Sequence, residues 1–457
     1  MRHSPLFAAV LALALAAPVQ AIPSFARKYG TSCTTCHTVY PKLTPFGEAF
    51  RRNSFRFPGV DSDYVKQDTI PLTPKSGDAE QFGITAIPPL SLGFNGFAVL
   101  HPDKNSTGGR ADRGAVFLTK DLVAEGHLWA GGSYSDLITY FGEVTFASSG
   151  SIAVEHAQVF VSDIVGPKHA VNLRVGRGFS TLTSFGPHSS YLGDQLLPSS
   201  GVTALGGSLG GTWNLFDHFN GVEVNGVLAG RFDYSIGLNA GSSVDTRPSE
   251  NYYAHVGYKL GGLRLDGEGA GKITDAMRPW EETAVTIDVF VYRSVNSAGF
   301  ADPDPTVTAP VIWLDSATVL GANLRFQLDS LELNGGAYYE THNHAAADGT
   351  GAKLYTGYGE LSYLVVPHFV PAVRLEYNSF EQDAIASVHN LRLSTGFASA
   401  VRPNIKLTVV ASFESASGQP PGGWGGVGGS AAPAPTSTDT AVGIEFEALT
   451  LGAAFAF

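Results

Sequence analysis

Asn404-Ile405-Lys406-Leu407-Thr408-Val409-Val410-Ala411-Ser412-Phe413-Glu414 alternates with a period of two. Ile405, Leu407, Val409, Ala411 and Phe413 fall on one face, and Lys406, Thr408, Ser412 and Glu414 on the other. Successive side chains of an extended strand point to opposite faces. A strand that crosses a bilayer as part of a barrel needs about 9–11 residues of this period, apolar toward lipid and polar toward the lumen. This stretch meets both conditions.

The pattern recurs along the chain from about Leu90. Val373, Leu375 and Tyr377 alternate with Arg374, Glu376 and Asn378; Leu324, Phe326 and Leu328 alternate with Arg325, Gln327 and Asp329. One such strand is weak evidence, and a long series at barrel spacing is strong. Tight turns are expected at Asp329-Ser330, Val366-Pro367-His368 and Arg402-Pro403-Asn404, with longer loops near 341–353, 380–388 and 415–439. Short inner turns and long outer loops are the barrel rule. The last stretch, Thr440–Phe457, ends in an aromatic, as terminal barrel strands do, and its alternation slips near Glu447. Either a bulge or a hidden turn lies there. The fold class is therefore mainly β: a transmembrane antiparallel barrel of about 16 strands.

Bulk composition agrees. The chain holds 54 glycines and 28 phenylalanines, yet only 15% of its residues are charged. After the N-terminus there is no apolar run long enough for a transmembrane helix. A formal net charge of −12 argues against nucleic acid as a partner. Residues 1–21 read as a secretory signal peptide, with Arg2 and His3 before an apolar run from Leu6 to Ala17 and a Val19-Gln20-Ala21 cleavage site. No Cys follows the cleavage point, so the signal is not of lipoprotein type. Export and a barrel together predict the outer membrane, with its lipid as a partner.

Ahead of the barrel, residues 22–60 form a different unit, joined to it by a linker over 61–89 rich in Asp, Pro, Thr and Ser. Its centre is Cys33-Thr34-Thr35-Cys36-His37. In an exported chain, Cys-x-x-Cys-His is the attachment pattern of a c-type haem. Two thiols three positions apart lie on one side of a helical turn, where they add to the two vinyl groups of one porphyrin. The next residue, His37, then sends its imidazole to the iron from the proximal side. A disulfide, a redox dithiol and half a zinc site are the competing readings. These are the only two cysteines, which leaves no second pair to complete a zinc site, and no strand-helix-strand pattern surrounds them. The expected cofactor is one covalent haem c, held by Cys33, Cys36 and His37.

Thr44-Pro45 opens a second helix, Thr as N-cap and Pro at the first helical position. Phe46 and Phe50, four apart, share a face, and with Leu43 they are expected to pack on the haem plane. Arg51, Arg52 and Arg56 are either partners of the haem propionates or a solvated basic patch. The sixth iron ligand stays open among Met277, His255, a nitrogen near the haem segment and none. His255 should face the lumen, since Tyr252, Ala254, Val256 and Tyr258 form the apolar set. His342-Asn343-His344, with Glu340 and Asp348, has donors that suit a divalent metal, but a plain polar loop is the favoured reading.

Pro23-Ser24-Phe25-Ala26-Arg27, the haem motif and Pro41-Lys42-Leu43-Thr44-Pro45-Phe46-Gly47 resemble the fused cytochrome–porin family of outer-membrane iron-oxidising proteins. The sharp part of the likeness runs from Pro23 to Phe57. Lys28-Tyr29 and Ser54 depart from the family pattern, which is expected to carry glycine for Ser54. The resemblance implies a monohaem cytochrome c ahead of a barrel of about 16 strands. It also implies electron transfer from an extracellular donor such as Fe(II) to a periplasmic carrier, an oxidoreductase-like role. The alternative is a porin whose haem segment is a plug or sensor. No nucleophile motif, phosphate loop or paired-carboxylate constellation points to other catalysis, and no catalytic residue is assigned.

Overall fold

The structure is a computed structural model. It describes residues 24–29, 31–56, 69–71 and 83–85 and, from 90 to 456, the barrel strands with most of their shorter connections. Beyond Leu90 the longest stretches outside the described residues are 103–115, 193–217, 240–250, 270–279 and 417–444. The expected signal peptide and Met277 also lie outside them.

Three short helices and a two-stranded ladder come first: α1 (Ser24–Tyr29), α2 (Cys33–Cys36), β1 (His37–Val39), β2 (Lys42–Leu43) and α3 (Pro45–Arg52). Within the stretch that composition marks as linker, β3 (Thr69–Pro71) pairs antiparallel with β4 (Gly83–Thr85). The barrel follows: β5 (Leu90–Pro102), β6 (Val116–Ser133), β7 (Ile138–Ala147), β8 (Ile152–Val161), β9 (Asn172–Phe179), β10 (His218–Leu228), β11 (Phe232–Asn239) and β12 (Tyr252–Gly261). Its second half is β13 (Glu282–Phe300), β14 (Val311–Asp329), β15 (Leu331–His342), β16 (Ala352–Tyr363), β17 (Phe369–Gln382), β18 (Ile385–Arg402), β19 (Ile405–Ala416) and β20 (Glu445–Ala456). Each strand pairs with its chain neighbours, and β20 closes on β5, so sixteen strands make one closed barrel. Closure leaves no sheet edge unpaired.

The side chains sort as the period-two pattern dictates. Val373, Leu375 and Tyr377 are 37%, 50% and 46% exposed, whereas Arg374, Glu376 and Asn378 are 4%, 0% and 0% exposed. The first set forms part of an apolar outer belt; the second points into the lumen. Leu324 and Leu328 face out against inward Arg325 and Gln327, and Tyr252, Val256 and Tyr258 face out against inward His255. Among the described residues no helix is long and apolar enough to cross a membrane; the crossing is made by strands.

The slip near Glu447 is a bulge. Ser412 pairs with Ala448 and Phe413 with Phe446, so Glu447 is the extra residue and β20 remains one strand. The connections near 330 and 403 are tight, as expected. The one near 380–388 is not long: Gln382 pairs with Ile385, leaving a two-residue link between β17 and β18. Ser379, Phe380 and the residues after Ile385 continue the ladder, although local polarity there suggests a loop.

The N-terminal unit sits inside the barrel at the end that carries the short turns. Lys42 reaches Glu332 at the start of β15, and Glu48 reaches Arg325 near the end of β14. Arg52 meets Asp233 at the start of β11, and Arg56 meets Asp163 in the turn after β8. Asn53 Nδ2 donates to Asp266 O (2.7 Å), and Ser54 O accepts from Thr139 Oγ1 (2.6 Å). These anchors come from six separate strands or turns around the ring. By the short-turn rule this end faces the periplasm.

Candidate functional site

The Cys-x-x-Cys-His motif is shaped by its own neighbours. Ser32 caps α2, accepting from Thr34 N (3.3 Å). Thr44 joins both helices: its Oγ1 donates to Thr35 O (2.8 Å) and accepts from Gly47 N (3.0 Å), and its N–H donates to Cys36 O (2.9 Å). Gly47 packs so close that a Cβ there would stand 2.1 Å from Cys36 O. Thr44-Pro45-Phe46-Gly47 is thus an N-cap, a helix start and a close approach in four residues.

The β1–β2 ladder turns the chain back at Tyr40-Pro41 and sets the Pro41 carbonyl 3.1 Å from His37 Nδ1. A carbonyl only accepts, so Nδ1 carries the proton and Nε2 keeps its lone pair. Burial, opposed by the Pro41 and Lys42 carbonyls, lowers the His37 imidazole to about 4 and keeps it neutral. A neutral imidazole with its Nδ1–H fixed to a carbonyl is the form that ligates a metal. Cys33 and Cys36 are not joined in a disulfide. Burial pushes Cys33 up to about 11; burial, then Cys33, pushes Cys36 up to about 12. A reactive dithiol needs the reverse shift.

All three residues open on one cavity of about 990 Å³ between the plug and the barrel wall. Phe25, Tyr29, Phe50 and Phe55 line it from the plug, and Phe94, Trp129 and Phe141 from the wall. The volume is that of a site for a sizeable ligand. Unbridged neighbouring thiols, a correctly protonated imidazole and a cavity with aromatic side chains beside them fit a covalently held haem. Leu43 and Phe50 reach this cavity, whereas Phe46 turns into the plug's own core with Tyr29 and Phe50. Arg52 and Arg56 are not a solvated basic patch: their guanidiniums hold Asp233 and Asp163 of the barrel, and Arg52 also lines the cavity. Arg51 lines the cavity and makes no ion pair among the described residues.

The wall supplies groups that no motif flagged. His127 and His156 each present Nδ1 to Glu143 at 2.9 Å, and His218 presents Nδ1 to Glu155 at 2.9 Å. Phe141, His156 and His218 are in ring contact, with centroids 5.1 and 4.8 Å apart. The connection after β9 folds inward. Leu182 joins a lumen cluster with Tyr253, Tyr292 and Tyr338, and Tyr191 and Leu192 pack with Val39, Val370 and Ala398. It also touches the β1–β2 segment that follows the Cys-x-x-Cys-His motif. Leu43 N donates to His188 O (2.9 Å), His188 Nδ1 lies 3.2 Å from Pro41 O, and Thr38 Oγ1 lies 3.0 Å from Tyr191 Oη. Burial, with Arg51 beside it, lowers His188 to about 3.

His255 does face the lumen and lines the cavity, with Nε2 3.8 Å from Asp288 Oδ1. His342 is not in an open loop. It ends β15 with one ring nitrogen on Asp315 and the other on Glu340, and so has no nitrogen left for a metal. Among the described residues no three His, Cys, Asp or Glu side chains converge as a metal-binding group.

OmpT of Vibrio cholerae superimposes with a TM-score of 0.52 at 11% identity, over 80% of this chain and 97% of that one. An anion-selective porin from Comamonas acidovorans gives 0.52 at 12%, over 80% and 98%. The barrel has the fold of outer-membrane porins. At such identity the likeness speaks for the fold alone. No protein-family model matches the sequence, and no curated relative matches it. The porin-like barrel accounts for Leu90 onward.

Proposed function

We propose that this chain is an outer-membrane electron-transfer protein in which a c-type haem, carried by the plug, is held inside a porin-like barrel. The observation that carries the reading is the pairing of two unbridged thiols on one helical turn with His37, its Nδ1–H held by Pro41 O, all facing one cavity. Cys33 and Cys36 would hold the porphyrin by thioethers, and His37 Nε2 would ligate the iron. When bound, the group supplies a one-electron couple. The protein's part is to bury it, to orient His37 and to shorten the gap that an electron crosses through an apolar band about 25 Å tall. Sited at the short-turn end, the plug would hold the carrier nearer the periplasmic acceptor. Fe(II) is the donor proposed from the likeness to cytochrome–porins, which makes Fe(II) oxidation the proposed activity.

A second reading, a channel gated by its plug, is favoured by the porin fold and by the plug's siting across the lumen. The two separate by experiment. Anaerobic detergent-purified protein should show a c-type spectrum that reduces on addition of Fe(II) and is lost in Cys33→Ala/Cys36→Ala. A haem reduced by dithionite but not by Fe(II) removes Fe(II) as donor, and protein matured without haem removes the carrier reading. Ion conductance in planar bilayers that responds to plug removal alone would favour the channel.

A further inference from the structure

His188 and His37 hold the same atom. Their Nδ1 nitrogens lie 3.2 and 3.1 Å from Pro41 O. The carbonyl accepts through two lone pairs, so both imidazoles donate to it and both are Nδ1–H tautomers. His188 comes from the connection after β9, more than a hundred residues from the motif, and its own carbonyl accepts from Leu43 N at 2.9 Å. The loop is therefore fastened to the turn that orients the proximal ligand.

The geometry excludes one role and leaves another. Two rings that hold one oxygen by Nδ1 turn their Nε2 lone pairs away from it, so they do not face each other across one iron. His188 is not placed as the ligand opposite His37. Two donors on one acceptor do compete, because each draws density that the other would use. The Nδ1–H bond of a ligating histidine sets how basic its Nε2 is. A stronger bond to Pro41 O makes His37 more imidazolate-like and stabilises the ferric state.

We infer that His188 is a positioning residue that shares the Pro41 carbonyl with His37, weakens the His37 bond and so raises the reduction potential of the haem. This rests on the proposed haem site. It makes the potential depend on a loop that starts at the outer end of β9, and not only on the haem segment.

The test is an anaerobic spectroelectrochemical titration of the full-length holoprotein in detergent. Three variants are compared with wild type: His188→Phe, His188→Asn and Tyr191→Phe. H188F keeps the bulk and removes the donor; its midpoint should move negative. H188N restores a donor where Nδ1 stood and should return the midpoint toward wild type. It is also smaller and more polar, so a shift driven by water entry would make H188N worse. Y191F cuts a different side-chain bond between the loop and this segment, the one to Thr38, and should leave the midpoint unchanged. Should H188F not assemble, H188A makes the same cut without a ring. A wild-type midpoint in the donor-free variants, a positive shift, or an H188N shift equal to that of H188F overturns the inference while the haem site stands. Wild type without a c-type spectrum overturns the proposed function and this inference with it.

Discussion

Glu332→Gln should loosen the plug without opening the barrel. Glu332 holds Lys42 Nζ at 2.5 Å through one oxygen and Arg325 Nη2 at 3.0 Å through the other. Lys42 is 1% exposed. Arg325 keeps Glu48 in the variant, but Lys42 loses its only direct counter-ion among the described residues. Breaking one side of a buried pair costs about 3–5 kcal/mol. Lys42 has one escape: from 10.5 it can shed its proton at pH 7 for about 5 kcal/mol, which caps the loss near the top of that range. At 1.4 kcal/mol per tenfold, the docking equilibrium should fall by roughly two to three and a half powers of ten. Urea titration reads it, with protease access to the plug scored while the barrel keeps its unheated gel mobility. Adding Lys42→Met removes the stranded cation and should recover most of the loss. An E332Q plug within about 0.5 kcal/mol of wild type, or no recovery in the double variant, would refute the reasoning.

Gly47→Ala should displace α3, since its Cβ would lie 2.1 Å from Cys36 O and 2.9 Å from Leu43 Cδ2; we expect a loss of about 1–3 kcal/mol in plug stability and less haem per barrel by pyridine haemochrome assay. Ser54 sits at φ 58°, in the left-handed region that glycine adopts freely, so Ser54→Gly should stabilise the plug by up to about 1 kcal/mol in the same titration. Docking should also be acid-sensitive. Burial pushes the Glu48 carboxyl up, but Arg325, Lys259, Arg52 and Lys42 outweigh it and hold it down at about 2, below the ordinary 4.5. The released plug then binds a proton at higher pH than the docked one, so the Glu48 contribution is whole above about pH 4.5 and lost between there and about pH 2. Glu48→Gln should flatten that part of the pH profile, measured by protease access to the plug.

The barrel was legible because its physics is local. A strand that faces lipid on one side and water on the other must alternate, and Val373 to Asn378 writes that rule residue by residue. Glu447 broke the alternation visibly, although only the pairing of Ser412 with Ala448 showed the break to be a bulge. The Cys-x-x-Cys-His spacing was visible for the same reason, since a spacing of three or four residues sets which side chains share one helical turn, and Cys33, Cys36 and His37 do line one cavity. The Thr44 cap and the closeness at Gly47 serve the same few residues.

The sequence by itself therefore determined the barrel pattern of about 16 strands, apolar toward lipid and polar toward the lumen. The tertiary structure decided where the motif sits and what surrounds it. Lys42 finds Glu332, Arg52 finds Asp233, and His188 finds Pro41 across separations of more than a hundred residues. Such pairs carry no local signal, because an inward Asp or Glu on a barrel strand looks the same whether it faces water or a buried cation. Without those acids in view, Arg52 and Arg56 read either as cofactor partners or as a solvated basic patch, and closure of the barrel around the plug supplied Asp233 and Asp163.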